Sequence, residues 1–122
     1  MRSLLKRLRR KNKPEIDPMA IEEEIKTLVS SNDVVLFMKG TAQAPQCGFS
    51  QRAVQILQAC GATFASVNVL ENEGIRQGIK TFSDWPTIPQ LYVRGEFVGG
   101  SDIMLEMYQS GDLAKTLAAP EA

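Results

Sequence analysis

The sequence feature that most constrains the fold is a run of five apolar residues, VVLFM, at Val34–Met38. Polar and apolar residues do not alternate in this run, which is typical of a strand that is covered on both faces. It is the longest apolar run in the chain, and it is far shorter than the roughly 20 residues that span a bilayer. We therefore expect a central strand, helices on both sides of its sheet, and no membrane span.

Helix-like and strand-like patterns alternate along the rest of the chain. Helices are predicted over residues 20–31, 47–60, 72–82, 101–109 and 110–119. Four strands are predicted: the first over residues 33–38, the second over residues 63–69, the third ending at residue 93 and the fourth over residues 96–100. Arg94 and Gly95 form a tight turn between the last two strands. A strand–helix–strand crossover makes the first pair parallel, whereas the closing hairpin is antiparallel. The predicted fold class is α/β, with a mixed four-stranded sheet flanked by helices.

The basic residues are concentrated at the N-terminus. Residues 1–13 contain seven of the 14 Lys and Arg residues and no acid, which leaves seven basic and 14 acidic residues, a net charge of −7, on the other 109 residues. An acidic domain argues against nucleic acid as the main partner. The predicted organisation is a basic arm at residues 1–18, a folded domain at residues 19–118 and a tail at residues 119–122.

The basic arm allows more than one interpretation. Pro14 and Pro18 discourage regular structure, so we expect the arm to be disordered. Met19 follows directly, and a misassigned start is an alternative. An arm that is rich in Arg and free of acid also suits organelle targeting or an anionic surface. The expected location is the cytoplasm, or the mitochondrial matrix or a plastid if the arm is a targeting segment.

The chain has two cysteines and no histidine. Two cysteines do not make a disulfide framework, so we expect a reducing compartment. The absence of histidine excludes a Cys-His hydrolase, a histidine general base, and a zinc or non-haem iron site with histidine ligands.

Cys47 is the candidate reactive residue. It lies where the second helix begins, and the helix dipole and the first-turn amides favour a thiolate there. Gly48 keeps the backbone accessible, and Lys39 adds a positive charge nearby. The alternative is a buried, inert cysteine. Cys60 falls on an apolar stripe about 20 Å further along the same helix, so we expect it in the core and not as a disulfide partner.

Several separated motifs together resemble one known family. The segments KGT, PQCGFS and WPTIPQLYVRGEFVGGSD are similar to those of the monothiol, C-G-F-S-type glutaredoxins, over residues 19–118. The resemblance implies a thioredoxin-like fold and a glutathione site. It also implies a role in carrying a [2Fe–2S] cluster for iron–sulfur protein biogenesis.

The same resemblance implies the residues of the site. The Ile88–Pro89 bond is expected to be cis, with the backbone of Ile88 pairing with glutathione. Ser101 and Asp102 are expected at its γ-glutamyl end, and Lys39 and Arg76 at its glycine carboxylate. The alternatives are an ordinary proline at a strand start, a plain helix cap at Ser101 and Asp102, and a solvated surface charge at Arg76.

Trp85 is expected to be a packing residue near the site. The position of Ser101 is often cysteine in this family, so the serine here weakens any disulfide cycle within one chain.

Counting ligands gives a further expectation. A [2Fe–2S] cluster usually takes four thiolate-type ligands, and this chain has one suitable cysteine, Cys47. Two protomers and two glutathione thiols complete the set, which predicts a glutathione-bridged homodimer with Cys47 as the metal ligand. By resemblance, the other partners are a BolA-type protein and iron–sulfur client apoproteins.

The alternative function is a glutathione-dependent oxidoreductase that reduces protein–glutathione mixed disulfides. A third, minor alternative is a scaffold with an unused thiol. By analogy with the family, the long GTAQA loop at residues 40–44 favours cluster handling over redox activity. We therefore expect mainly a carrier, with at most weak oxidoreductase activity.

Overall fold

The computed structural model describes residues 17–118 as a mixed sheet between two layers of helices. The helices are α1 (Pro18–Ser31), α2 (Gly48–Ala59), α3 (Glu73–Ser83), α4 (Ser101–Ser110) and α5 (Asp112–Leu117), with a short 3₁₀ helix at Val69–Glu71. The strands are β1 (Val34–Met38), β2 (Ala65–Asn68), β3 (Gln90–Val93) and β4 (Glu96–Gly99). They lie in the order β2-β1-β3-β4, in which only the β1–β2 pair is parallel. The predicted four-stranded mixed sheet with flanking helices is confirmed.

The central strand β1 explains why the chain needs helices on both faces of the sheet. All five of its side chains are 5 % exposed or less. Val34, Leu36 and Met38 pack in one apolar cluster with residues of α2, α4 and α5. Val35 and Phe37 pack in a second cluster with residues of α1 and α3. Burying one such side chain stabilises the fold by roughly 1.5–3 kcal/mol, so an uncovered face would lose several of these contributions.

Helix α1 begins earlier than the sequence pattern indicated. Pro18 is its first residue, and the Met19 amide donates to the Asp17 carboxylate at 3.0 Å. Proline is well suited to this position, because the first helical amide has no partner within the helix. The expectation that Pro18 interrupts regular structure was therefore wrong. Residues 1–16 of the predicted arm and the predicted tail at residues 119–122 lie outside the described residues.

Two further boundaries differ from those predicted. Strand β2 ends at Asn68, whose side-chain oxygen accepts from the Leu70 amide at 3.0 Å and starts the 3₁₀ helix. Helix α4 has Gly100 as its N-cap, without a side-chain cap, whereas Ser101 and Asp102 were the expected cap. A Cβ atom on Gly100 would lie 3.3 Å from the carbonyl oxygen of Pro89, so a larger capping residue would fit only tightly there.

None of the helices in the described range, residues 17–118, combines the length and the apolar character needed to cross a membrane.

Candidate functional site

Cys47 is the N-cap residue of α2, with extended backbone angles, and its side chain is partly exposed. The pKa of its thiol is lowered, mainly by the backbone amide of Ser50 and further by the Phe49 amide, the Lys39 charge and the Ser50 hydroxyl, while partial burial opposes the shift. The helix start thus favours the thiolate, as the sequence predicted. A thiolate at this position can bind a metal or attack a disulfide.

Ser50 is a residue close to Cys47 that sequence reasoning did not single out. It is fully buried in the first turn of α2, and its hydroxyl accepts from the Lys39 amide at 3.0 Å. The same hydroxyl makes the smallest of the contributions that lower the pKa of the Cys47 thiol. Its spacing in the sequence could have identified it, because a polar side chain three residues after an N-cap residue can reach back to that residue.

The loop between β1 and α2 is closed by its own hydrogen bonds. Gly40 and Pro45 form an isolated antiparallel bridge, and the Gln46 amide donates to the Lys39 carbonyl at 2.9 Å. The Gly40 amide donates to the Asn68 side chain at 2.9 Å, which ties the loop to the end of β2. These contacts fix Lys39 and Cys47 on either side of one short loop.

An open cleft of about 380 Å³ begins at Cys47. Its walls come from the loop before α2, the end of α3, the segment before β3 and the start of α4. The lining residues are Lys39, Cys47, Phe49, Lys80, residues 85–89 and residues 100–103.

The structure brings five of the six candidate site residues to this cleft. Lys39, Cys47, Ile88, Ser101 and Asp102 line it.

Arg76 is the exception among the six candidates. It is not among the residues that line the cleft, and its Nη1 lies 3.9 Å from the Glu73 carboxylate. Lys80, one helical turn further along α3, does line the cleft, and sequence reasoning did not single it out. The two cations share a helix face, so the sequence indicated the face but not which turn of α3 reaches the cleft.

The segment before β3 forms one wall of the cleft. The Ile88–Pro89 bond is cis, as predicted. Trp85, expected to pack near the site, lies on the cleft wall with its ring 6.0 Å from that of Phe97, and it is 38 % exposed. Its surface is therefore open to a ligand or a partner.

The start of α4 forms the opposite wall. Ser101 is buried, whereas the Asp102 carboxylate is largely exposed and lies 3.9 Å from Nη1 of Arg52 in α2. Because such an exposed pair is weak, the Asp102 carboxylate is free to exchange Arg52 for a ligand amine.

Cys60 differs from Cys47 in position and in reactivity. It is the C-cap of α2, at the opposite end of a 12-residue helix. It is partly buried and packs against the edge of the core, and burial raises the pKa of its thiol. Both cysteines are free thiols. Cys60 was predicted to lie in the core, and the structure places it at the edge of the core and not in the interior.

The role of Ser50 gives a prediction for pH titration. On a Cys60→Ser background, the Ser50→Ala change should move the midpoint of thiolate formation at Cys47 slightly to higher pH, because the Ser50 hydroxyl makes the smallest of the contributions that lower the pKa of this thiol. The backbone amides of Ser50 and Phe49 remain, so we expect the midpoint to stay below that of an ordinary thiol. Absorbance at 240 nm against pH measures this, with Ser30→Ala on α1 as the matched control. An unchanged midpoint in Ser50→Ala would show that the hydroxyl does not act on the thiolate.

The comparison with known families identifies the family of this chain. A family model described as glutaredoxin matches residues 34–98, more than half of the chain, from the first residue of β1 into β4. The chain belongs to the glutaredoxin family. This glutaredoxin also resembles poplar apo GrxS14, solved in solution in its reduced state, with a TM-score of 0.70 and 57% identity over 78% of this chain and 87% of that one. The predicted thioredoxin-like fold is confirmed.

Relatives of this glutaredoxin are named monothiol glutaredoxins. It is 59% identical over 93 residues to an uncharacterized monothiol glutaredoxin of Synechocystis, covering 76% of this chain and 87% of that protein. It is 55% identical over 97 residues to the mitochondrial glutaredoxin-related protein 5 of Danio rerio, covering 79% of this chain and 63% of that protein. The chain therefore belongs to the monothiol branch that its C-G-F-S segment indicated.

Proposed function

We propose that this glutaredoxin binds glutathione in the cleft and, as a pair of protomers, carries a [2Fe–2S] cluster to client apoproteins. The observation that carries the proposal is the position of one stabilised thiolate, Cys47, at a cleft with cationic and polar ends. The other cysteine, Cys60, lies at the far end of α2. Each chain therefore offers one sulfur ligand at this cleft.

The charges around the cleft suit glutathione, which has a carboxylate at each end, an amine beside one of them and a thiol in the middle. Lys39 and Lys80 offer cations for the glycine carboxylate. The amides of Ser101 and Asp102 at the start of α4 favour the γ-glutamyl carboxylate, and the Asp102 carboxylate suits the amine. The Ile88 backbone suits pairing with an extended tripeptide.

Arg76 stays a predicted contact for the glycine carboxylate. It precedes Lys80 by one turn of α3, and its ion pair with Glu73 at 3.9 Å is partly exposed. Exposed pairs of this kind contribute little to stability, so a ligand carboxylate can compete for the guanidinium group.

The donor set supports a cluster that is shared between chains. The sequence has no histidine, and within residues 17–118 no group of three or more His, Cys, Asp or Glu side chains could hold a metal ion. Two protomers supply two Cys47 thiolates, and two bound glutathiones supply the other two sulfur ligands. A cargo held by so few protein ligands is suited to onward transfer.

Exposed apolar side chains around the cleft support protein contacts at this surface. Phe49 is 57 % exposed, Ile103 is 36 % exposed, and both line the cleft with Trp85. We propose that a second copy of the chain, a BolA-type protein and client apoproteins use this surface in turn.

The proposed location is a reducing compartment, because Cys47 must stay a free thiolate. Relatives include proteins named mitochondrial and chloroplastic. The cytoplasm is the proposed location. The alternative is the mitochondrial matrix or a plastid, if residues 1–18 act as a targeting segment.

The second candidate function is the reduction of protein–glutathione mixed disulfides, which the lowered pKa of the Cys47 thiol favours. The thiolate attacks the glutathione sulfur, forms a Cys47–glutathione disulfide and releases the protein thiolate. A second glutathione thiolate then attacks that disulfide, which releases Cys47 and glutathione disulfide.

Anaerobic reconstitution with iron and sulfide, with and without glutathione, separates the two functions. The proposal expects a brown protein, with visible charge-transfer absorption and circular dichroism that require glutathione. Rapid turnover of a glutathionylated peptide by a protein that takes up no cluster would support the redox function instead.

The cleft cations give a prediction that tests glutathione binding directly. We define the glutathione preference as the equilibrium constant for exchange of Cys47 with glutathione disulfide, divided by that for hydroxyethyl disulfide. This ratio cancels the reactivity of the thiol. Lys80 is partly exposed, and the attraction between such a cation and a carboxylate is weak, so Lys80→Ala should lower the preference about two- to fivefold at low salt. The loss should shrink at high salt.

Mass spectrometry of the mixed disulfides on a Cys60→Ser background measures both constants. Lys115→Ala, an exposed cation on α5, is the matched control and should leave the preference unchanged. Arg76→Ala in the same series tests the predicted contact of Arg76. Equal preferences in Lys80→Ala and Lys115→Ala would remove Lys80 from the ligand site.

A further inference from the structure

Gln90, the first residue of β3, is a fully buried amide in a strand whose other side chains are apolar or aromatic. Its Nε2 donates to the carbonyl oxygens of Trp85 and Thr87, both at 3.1 Å. Its Oε1 accepts from the Tyr92 hydroxyl at 3.3 Å. A buried amide is costly unless its hydrogen bonds are made, and here each of its polar atoms has a partner.

The two carbonyls that Gln90 holds belong to the wall of the cleft. Residues 85–89 all line it, and none of them lies within a helix or strand. The start of this segment is fixed separately, because the Trp85 amide donates to the Lys80 carbonyl and to the Ser83 hydroxyl, both at 3.1 Å. Two carbonyls of the segment are therefore held by one side chain, and that side chain is anchored in the central sheet.

We infer that Gln90 is a positioning residue for the ligand site: its amide fixes the wall formed by residues 85–88 in the shape that receives glutathione. This inference rests on the proposed glutathione binding. Gln90 itself is not among the residues that line the cleft, so it acts through the carbonyls of Trp85 and Thr87 and not by touching the ligand.

Two substitutions remove the amide donors in different ways. Gln90→Glu keeps the shape but offers no donor when ionised and a single donor when protonated, and Gln90→Met keeps the length without any polar group. We expect both to lower the glutathione preference at least about fivefold, because at least one of the two hydrogen bonds is lost and a small displacement of the wall misplaces the ligand. Gln90→Met keeps the test open if the buried carboxylate of Gln90→Glu prevents folding.

The wall itself has a direct reporter in the ligand-free protein. Trp85 is the single tryptophan of the chain, so its fluorescence reports on this segment alone. We expect stronger acrylamide quenching and a shifted emission maximum in both Gln90 variants. Tyr92→Phe leaves both donor bonds of Gln90 in place, and it should keep the wild-type fluorescence and stay within about twofold of the wild-type preference.

A further control separates a general loss of stability from a change in the wall of the cleft. Val29→Ala truncates a buried side chain on α1, which contributes no residue to the cleft. It should lower the unfolding midpoint while keeping the glutathione preference and the Trp85 fluorescence. Gln90 variants that behave like Val29→Ala would reduce Gln90 to a structural residue and overturn the inference.

The two proposals fail in different ways in these experiments. A wild-type protein without preference for glutathione over hydroxyethyl disulfide would contradict the proposed function, and the inference with it. A wild-type preference that survives both Gln90→Glu and Gln90→Met would contradict the inference alone.

Discussion

Replacement of Cys47 by serine is expected to give a protein that stays colourless after anaerobic reconstitution with iron, sulfide and glutathione. A hydroxyl at the start of α2 is not deprotonated near neutral pH, so the chain loses the sulfur ligand that it offers at the cleft. Two such chains offer none. Visible absorption, with iron and acid-labile sulfide determined on the same sample, measures the loss, and we expect it to be complete.

The matched control is Cys60→Ser. Cys60 lies at the other end of α2, and burial raises the pKa of its thiol, so this variant should keep the colour of the wild-type protein. Ultraviolet circular dichroism confirms that both variants are folded. A brown Cys47→Ser protein would overturn the assignment of Cys47 as the ligand. A colourless Cys60→Ser protein would show that Cys60 is more than a packing residue.

The second large effect is expected at Gly40, in the loop that carries Lys39 and leads to Cys47. Gly40 has a φ angle of +90°, and a Cβ atom there would lie 2.6 Å from two backbone atoms, the Ala44 oxygen and the Gln46 nitrogen. Backbone atoms cannot move aside as a flexible side chain can. Gly40→Ala must therefore open the loop and break its bridge to Pro45.

We expect Gly40→Ala to lower the stability by about 2–4 kcal/mol, from the left-handed backbone and the steric overlap together. The glutathione preference should fall at least about tenfold, because the loop positions both Lys39 and Cys47. Denaturant unfolding and the mixed-disulfide equilibria measure the two effects.

Gly61 offers a matched control for the backbone contribution. It also has a positive φ, +70°, but a Cβ atom there would meet nothing within 4 Å. Gly61→Ala should cost about 1–2 kcal/mol from the backbone conformation alone and leave the glutathione preference unchanged. If Gly40→Ala and Gly61→Ala behaved alike, the closed loop would have no role in the site.

The parts of this fold that could be predicted from sequence depend on local patterns. The unbroken apolar run of β1 indicated burial on both faces, and the two clusters that share its side chains confirm it. The position of Cys47 at a helix start follows from the local pattern, and the cis bond before Pro89 was implied by the family resemblance; both are present in the structure. The apolar run and the helix start can be recognised within a few residues of chain.

The parts that could not be predicted depend on how distant elements pack. The choice between Arg76 and Lys80 at the cleft is set by where the last turn of α3 meets the segment before β3. The exposure of Trp85 depends on its contact with Phe97 in β4. The start of α1 is set locally: Asp17 followed by Pro18 is a typical N-cap and first helical residue, and the Asp17 carboxylate accepts from the Met19 amide.

The most direct test of the central claim is the composition and mass of the reconstituted protein before and after glutathione is removed. Native mass spectrometry, together with iron, sulfide and glutathione determinations, should show two chains, two glutathiones and one [2Fe–2S] cluster, because each chain supplies one of the four sulfur ligands. Removing glutathione should release the cluster and leave single chains. A single chain that keeps its iron and sulfide without glutathione would contradict the account.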